Sequence, residues 1–177
     1  MNIYPTRFLM YSFIVLILTS YFSIGCKPAD RSRSVLGVFD TAFMLDLHNI
    51  MRDSYDIPPL VWDTTLEEEA AIWALDLADT GCTASSSDDP LYGEIVFDTV
   101  VSHTEEDVFD IWMSEENNYD VIDYTCDPNT SCDRFTQIMW FETERVGCAQ
   151  AICDRDLGAV WVCKYDPPGN EAGVNPF

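Results

Sequence analysis

Seven cysteines and two histidines carry most of the reactive side-chain chemistry in this chain. Six of the cysteines lie in its body, Cys82, Cys126, Cys132, Cys148, Cys153 and Cys163. In an oxidising compartment thiols at these positions are consumed as disulfides, and their spacing alone leaves more than a dozen connectivities open. His48 lies in a helical segment and is expected to be a satisfied core or subsurface histidine, whereas His103 precedes a helix start and is expected at the surface. No cluster with metal-ligand spacing gathers around either. Ser86 sits in a turn with acidic neighbours. No histidine follows it closely and no G-x-S-x-G elbow frames it, so a serine hydrolase lacks both its base and its turn.

The compartment can be read from the start of the chain. One basic residue, Arg7, precedes an apolar run from Phe8 to Ile24 that closes on Ser23-Ile24-Gly25 before Cys26. A short apolar core ending on small residues reads as a cleaved secretory signal over 1–25 rather than a membrane span. About 150 residues remain, room for one domain with a real core and not for two. Cys26 is the odd cysteine at the cleavage point. In a bacterial setting it would be a lipid attachment point and the chain a lipid-anchored surface protein. In a eukaryotic one it is the first mature residue or is discarded, which is the expectation adopted. The formal net charge of the whole chain is −22. Such a field repels phosphate backbones and anionic lipid, which excludes nucleic acid and anionic membrane surfaces while permitting cations, basic protein patches and neutral lipids.

Residues 26–36, with Pro28, Arg31 and Arg33, read as a flexible leader. From Thr41 to Asp53 the residues Phe43, Met44, Leu47, Ile50 and Met51 recur at helical spacing, and Ile57-Pro58-Pro59 blocks continuation. Thr64 and Glu67 form a capping-box pattern for a second helix with Leu66, Ala70, Trp73 and Leu77 on one stripe, ended by Gly81. Residues 82–92, with Asp88-Asp89-Pro90, are a turn-rich loop, and Gly93 to Phe97 read as a strand. Thr104 begins a third helix with Glu105, Glu106 and Asp107 on its positive end and Val108, Ile111 and Trp112 inward. A short fourth helix runs from Arg134 to Trp140. Two antiparallel strands, about 145–152 and 157–165, are joined at Asp154-Arg155-Asp156. Helices and strands without regular alternation predict an α+β fold. Trp73, Trp112 and Trp140 are expected to be core packing.

Several motifs follow one another over residues 41–177: His48-Asn49-Ile50-Met51-Arg52, Pro58-Pro59-Leu60-Val61-Trp62-Asp63, Gly93-Glu94-Ile95-Val96, Trp112-Met113-Ser114-Glu115, the stretch Asp133 to Trp140, and Cys163-Lys164-Tyr165-Asp166-Pro167-Pro168-Gly169-Asn170. In this order, with these cysteine intervals, they resemble the CAP superfamily, which includes cysteine-rich secretory proteins, insect antigen 5, venom-allergen-like proteins and plant pathogenesis-related protein 1. Ile95 stands where that family usually has asparagine. The resemblance implies a disulfide-stapled, three-layer α-β-α sandwich over 37–177. It also implies the pairs Cys82–Cys153, Cys126–Cys132 and Cys148–Cys163.

Many members of the family hold a divalent metal in a central cleft with two histidines and two glutamates. Motif by motif, the glutamates are Glu94 and Glu115, while Ser86 and Arg134 occupy the histidine positions. A serine hydroxyl is a poor zinc ligand and a guanidinium is none, so no metal and no other cofactor is expected. Arg134 is expected to pair with Glu94, Glu115 or both. The glutamate pair alone could do acid-base work as in glycosidases, which keeps a hydrolase as the alternative.

The resemblance implies binding instead: sterol at a loop before the fourth helix, fatty acid between helices, or a partner protein. The loop here runs from Asn118 to Cys132, with Tyr119, Val121, Ile122 and Tyr124 as its apolar side chains and Asp120, Asp123 and Asp127 wetting it. Asn129-Thr130-Ser131 is an N-glycosylation pattern. The expectation is a secreted, extracellular, non-enzymatic binding module.

Overall fold

The apolar run from Ala159 to Cys163, and that from Val146 to Ile152 broken only by Gln150, predict strands covered on both faces, and the architecture grows from them. The computed structural model describes residues 34–89, 91–153 and 158–177. The signal segment, Cys26, Pro90 and the Asp154-Arg155-Asp156 connection lie outside the described residues. In chain order the elements are β1 (Val35–Leu36), α1 (Thr41–Ser54), β2 (Val61–Trp62), α2 (Thr64–Thr80), β3 (Gly93–Thr99), α3 (Glu105–Met113), a 3-10 turn (Ser114–Asn118), β4 (Tyr119–Asp120), β5 (Thr125–Cys126), α4 (Asp133–Ile138), β6 (Arg145–Ile152) and β7 (Ala159–Asp166). The main sheet runs β1-β6-β7-β3, with β2 added in parallel to the start of β6. The other pairings are antiparallel, setting Cys148 opposite Cys163 and Glu94 opposite Lys164. β4 and β5 form a separate hairpin. The last residues of the expected leader are not loose, because Val35 and Leu36 pair with Ile152 and Ala151.

Strand alternation divides the core in two. Ile95, Val146, Cys148, Trp161, Cys163 and Tyr165 face Met44, Val108, Trp112, Phe135 and Ile138 from α1, α3 and α4. Ala149, Ala151, Val160 and Val162 face Ala70, Ala74, Leu77 and Ala78 of α2. The result is a sheet between helical layers. Small side chains on both sides let α2 lie close to the sheet. At Gly147 a Cβ would come within 2.2 Å of the Glu67 amide nitrogen, so the first turn of α2 requires glycine there. Three disulfides join Cys82 to Cys153, Cys126 to Cys132 and Cys148 to Cys163.

The inward stripe of α1 differs from its apolar pattern. Met44, His48 and Arg52 are buried, while Phe43 and Ile50 are exposed, Ile50 by 66%. Polar groups can take those positions because each is satisfied inside. Arg52 donates from Nε to the Pro58 carbonyl at 2.7 Å, from Nη1 to the Ile138 and Trp140 carbonyls at 2.8 Å, and from Nη2 to the Thr143 carbonyl at 3.0 Å. One guanidinium thus ties two loops to the helix. Asn49 clamps the backbone of Leu60 through both its amide atoms. His48 donates from Nδ1 to the Met44 carbonyl at 2.8 Å, which leaves Nε2 to accept from the Tyr165 hydroxyl at 2.9 Å. Burial holds this imidazole down at about 4, with Arg52 adding to the effect. Burial likewise pushes the Tyr165 hydroxyl up.

Other boundaries shift slightly. The cap of α2 is Asp63, whose carboxylate accepts from the Thr65 and Leu66 amides, while Glu67 accepts from the Trp62 indole at 2.8 Å instead of closing a box with Thr64. Thr104 and Asp107 do form a capping box on α3, but Ile111 faces outward and Phe109 and Met113 are buried. α4 stops at Ile138, short of Trp140. Trp112 and Trp140 are core residues, whereas Trp73 is half-buried and donates its indole N–H to the Ser85 carbonyl at 2.9 Å. His103 is half-buried rather than exposed, with Nδ1 donating to the Val101 carbonyl.

Candidate functional site

β3 is the last strand of its sheet, and a cleft of 320 Å³ runs along it. Glu94, Ile95 and Val96 line its floor, Ala84 to Ser86 one side, and Ser131, Asp133 and Arg134 the other. The structure therefore brings Ser86, Glu94 and Arg134 to one place. Glu115, at the start of the 3-10 turn, is buried and does not itself line the cleft, to which it is joined through Arg134.

Glu115 caps α4 from another part of the chain. Its Oε2 accepts from the amides of Arg134 at 2.7 Å and Phe135 at 3.3 Å, and its Oε1 accepts from Arg134 Nη1 at 2.7 Å. Cys132, the residue at the cap position, offers no side-chain bond, so Glu115 supplies the negative group this helix end favours. The Arg134 guanidinium also lies 5.3 Å over the ring of Phe97.

Glu94 has a different partner. Lys164 Nζ donates to Glu94 Oε2 at 2.6 Å, with both side chains buried. Ser87 completes the arrangement, its amide donating to Oε1 at 2.9 Å and its hydroxyl to Oε2 at 2.7 Å. Lys164 also reaches the Ser87 hydroxyl at 2.7 Å and lies 3.8 Å from Asp89. The expected Arg134 ion pair thus involves Glu115 and not Glu94. The reason is register, since Lys164 stands directly across the ladder from Glu94. Ser86 accepts from the Asp88 amide, while its neighbour Ser87 serves Glu94. Lys164 and Ser87 were missed by the sequence reading, and the only signal for Lys164 was a lysine among core residues on a two-faced strand.

All four carboxylate oxygens are therefore engaged by protein donors. Lys164 and Arg134 are each ion-paired to one of these carboxylates, so a divalent ion would have to displace a bound cation from each before it could be ligated. Among the described residues no group of three or more His, Cys, Asp and Glu side chains is placed to hold a metal. The residues present do not fit the metal. Acid-base work by the glutamate pair would have to compete with these same donors, since both carboxylates are held in ion pairs.

The hairpin is built differently. Tyr119 is half-buried against Phe135 and Phe177, at ring separations of 5.7 and 6.1 Å. Val121, Ile122 and Tyr124 are exposed, Ile122 by 82%. Asp120 shapes the tip by accepting from the Ile122 amide at 2.8 Å and the Asp123 amide at 3.1 Å, and these bonds hold its carboxyl below the usual range. A 210 Å³ cavity lies between the hairpin and the C-terminal segment, lined by Tyr119, Tyr124, Trp140, Val174 and Pro176 among others. Asn129 is exposed beyond β5, with positive φ.

Residues 45–165 match the CAP family of cysteine-rich secretory proteins. This chain is a member of the CAP family. It is 35% identical over 135 residues to a pathogenesis-related protein of PR-1 type from Sambucus nigra, covering 75% of this chain and 79% of that one. To a PR-1 pathogenesis-related protein from Medicago truncatula it is 33% identical over 170 residues, covering 96% and 93%. Among solved structures, the Schistosoma mansoni venom allergen-like protein 4 superposes with a TM-score of 0.61 at 22% identity, covering 73% of this chain and 88% of that one. The fold is the CAP α-β-α sandwich.

Proposed function

We propose that this CAP domain is an exported, non-enzymatic binding protein that takes an uncharged lipid of the sterol class at its 119–126 hairpin. The observation that carries the reading is the exposure of Val121, Ile122 and Tyr124 on a hairpin tied down by the Cys126–Cys132 bridge, beside a cavity that Tyr119 and Tyr124 help to line. Exposed apolar groups on a fixed scaffold lose water on binding without a large ordering cost. The net charge of −22 favours a neutral ligand over an anionic one. Non-catalytic action is supported by the engagement of all four cleft oxygens. Export is supported by the signal-like first 25 residues and by the similarity to pathogenesis-related proteins.

The test is saturable uptake of radiolabelled cholesterol by the purified full-length secreted protein. Ile122→Asp and Tyr124→Asp are expected to reduce it at least tenfold, while Glu94→Gln leaves it unchanged. No uptake by the unaltered protein, or uptake indifferent to the hairpin variants, rejects the lipid reading and leaves a protein partner as the ligand. Fatty acid between helices would give uptake of labelled palmitate that the hairpin variants do not alter.

A further inference from the structure

The hydrogen-bonding direction of β3 can be worked out from a disulfide. Cys148 and Cys163 are directly opposed with Cα atoms 4.0 Å apart, the closer of the two antiparallel spacings, so they form a non-hydrogen-bonded pair. The backbone groups of Cys163 therefore turn toward β3, and with them those of Trp161 and Tyr165. Their partners on β3 are Phe97, Ile95 and Gly93. The amides and carbonyls of the intervening residues, Glu94, Val96 and Asp98, point away from the sheet. Among the described residues none of these outward groups has a backbone or side-chain partner.

Edges of this kind are usually blunted by proline, a bulge or an exposed lysine, and β3 has none of these over its continuous register from Gly93 to Thr99. Loop 82–92 does not pair with it either. The Ala84 and Ser87 amides bond to the carboxylates of Asp98 and Glu94, so the loop stands beside the strand as a wall. Between that wall and Arg134 lies the 320 Å³ cleft, whose floor includes Ile95 and Val96. An open strand edge at the bottom of a walled trough suits main-chain pairing by an added strand.

We propose that the outer edge of β3 is a docking strand for an extended, positively charged peptide segment of a partner protein. Charge selects the occupant. Glu94 and Glu115 are matched by Lys164 and Arg134, which leaves Asp133 on the cleft lining, Asp88 and Asp89 on the loop that walls it and Asp98 bonded to the Ala84 amide as the unbalanced charges, in a chain of −22. A second copy of this chain would bring the same charge to the same edge, and an acidic peptide would meet the same repulsion. A lysine-bearing strand meets neither, and Asp133 on the cleft lining offers it a carboxylate. This site is separate from the hairpin and does not depend on the lipid reading.

The experiment is fluorescence anisotropy with the full-length secreted protein and three labelled heptapeptides: alternating Lys and Val, the same peptide N-methylated at alternate residues, and alternating Glu and Val. Saturable binding of the lysine peptide, weakened at least tenfold by N-methylation and by salt and absent for the glutamate peptide, is expected. Val96→Pro removes an outward N–H without touching the ladder to β7, so it should weaken binding at least tenfold while near-ultraviolet dichroism stays unchanged. No saturable binding of the lysine peptide overturns the proposal, as does equal binding of its N-methylated form. A homodimer in sedimentation that Val96→Pro dissociates would also overturn it, by making the occupant a second copy. The N-methylated peptide keeps the test decisive should Val96→Pro misfold.

Discussion

The cleft and the hairpin belong to one chain yet handle polarity in opposite ways. In the cleft every carboxylate oxygen of Glu94 and Glu115 is matched to a donor from Lys164, Arg134, Ser87 or a helix amide, so side-chain charge is cancelled internally. On the hairpin, acidic residues shape the backbone and apolar side chains are left facing outward. The cleft carboxylates thus form a structural ion-pair network, while the hairpin leaves its apolar side chains uncovered. Buried pairs are held by mutual dependence, whereas exposed apolar groups contribute little to stability and are available for binding.

The sharpest way to break that contrast is to remove one cation. Lys164→Met leaves Glu94 buried with only Ser87 for company, and stability is expected to fall by about 3–5 kcal/mol in urea unfolding. The double variant Lys164→Met with Glu94→Leu should recover most of the loss, since replacing both charges by packed apolar groups is close to neutral. Equal stability of Lys164→Met and the unaltered protein would mean that the pair is solvated and the cleft open.

A second effect comes from the polar core behind the cleft. His48 has a folded value of about 4 against an ordinary 6.5, so the unfolded chain takes up its proton first as pH falls. Stability is therefore expected to decline as pH drops from 6.5 through 4, by about 3 kcal/mol from this group alone. His48→Gln should flatten that part of the pH profile. An unaltered slope would place the imidazole in water. Arg134→Ala is smaller, about 1–2 kcal/mol, because a third of its side chain is exposed and water screens the pair. At the hairpin, Ile122→Asp should change unfolding stability by less than about 0.5 kcal/mol. A large loss there would make the hairpin part of the core and undo the comparison.

Much of this was legible in the residues. Helical periodicity, the Thr104 start and the two apolar strand runs gave the elements and an α+β class, while the three-layer arrangement was implied only by the resemblance to the CAP family. The errors lie where one-dimensional signals are degenerate. Asp63 and Thr64 can both cap a helix, and the choice was made by the Asp63 amide bonding to the Val146 carbonyl, which fixes where β2 ends. Ser85, Ser86 and Ser87 are interchangeable in sequence, and only the path of the loop puts Ser87 on Glu94. Ile50 was counted as core by spacing, but the true inward stripe is carried by His48 and Arg52, whose polar ends find partners far along the chain. Lys164 escaped notice because its counterion lies 70 residues away and meets it only through strand register.

The central claim is that tethered cations have taken the place of a metal in this CAP cleft. Isothermal titration of zinc into the unaltered full-length protein tests it most directly, with the triple variant Ser86→His, Arg134→His, Lys164→Met beside it. The account predicts no saturable site in the unaltered protein and a one-to-one site in the variant. Stoichiometric zinc binding by the unaltered protein that Glu94→Gln or Glu115→Gln abolishes would contradict it.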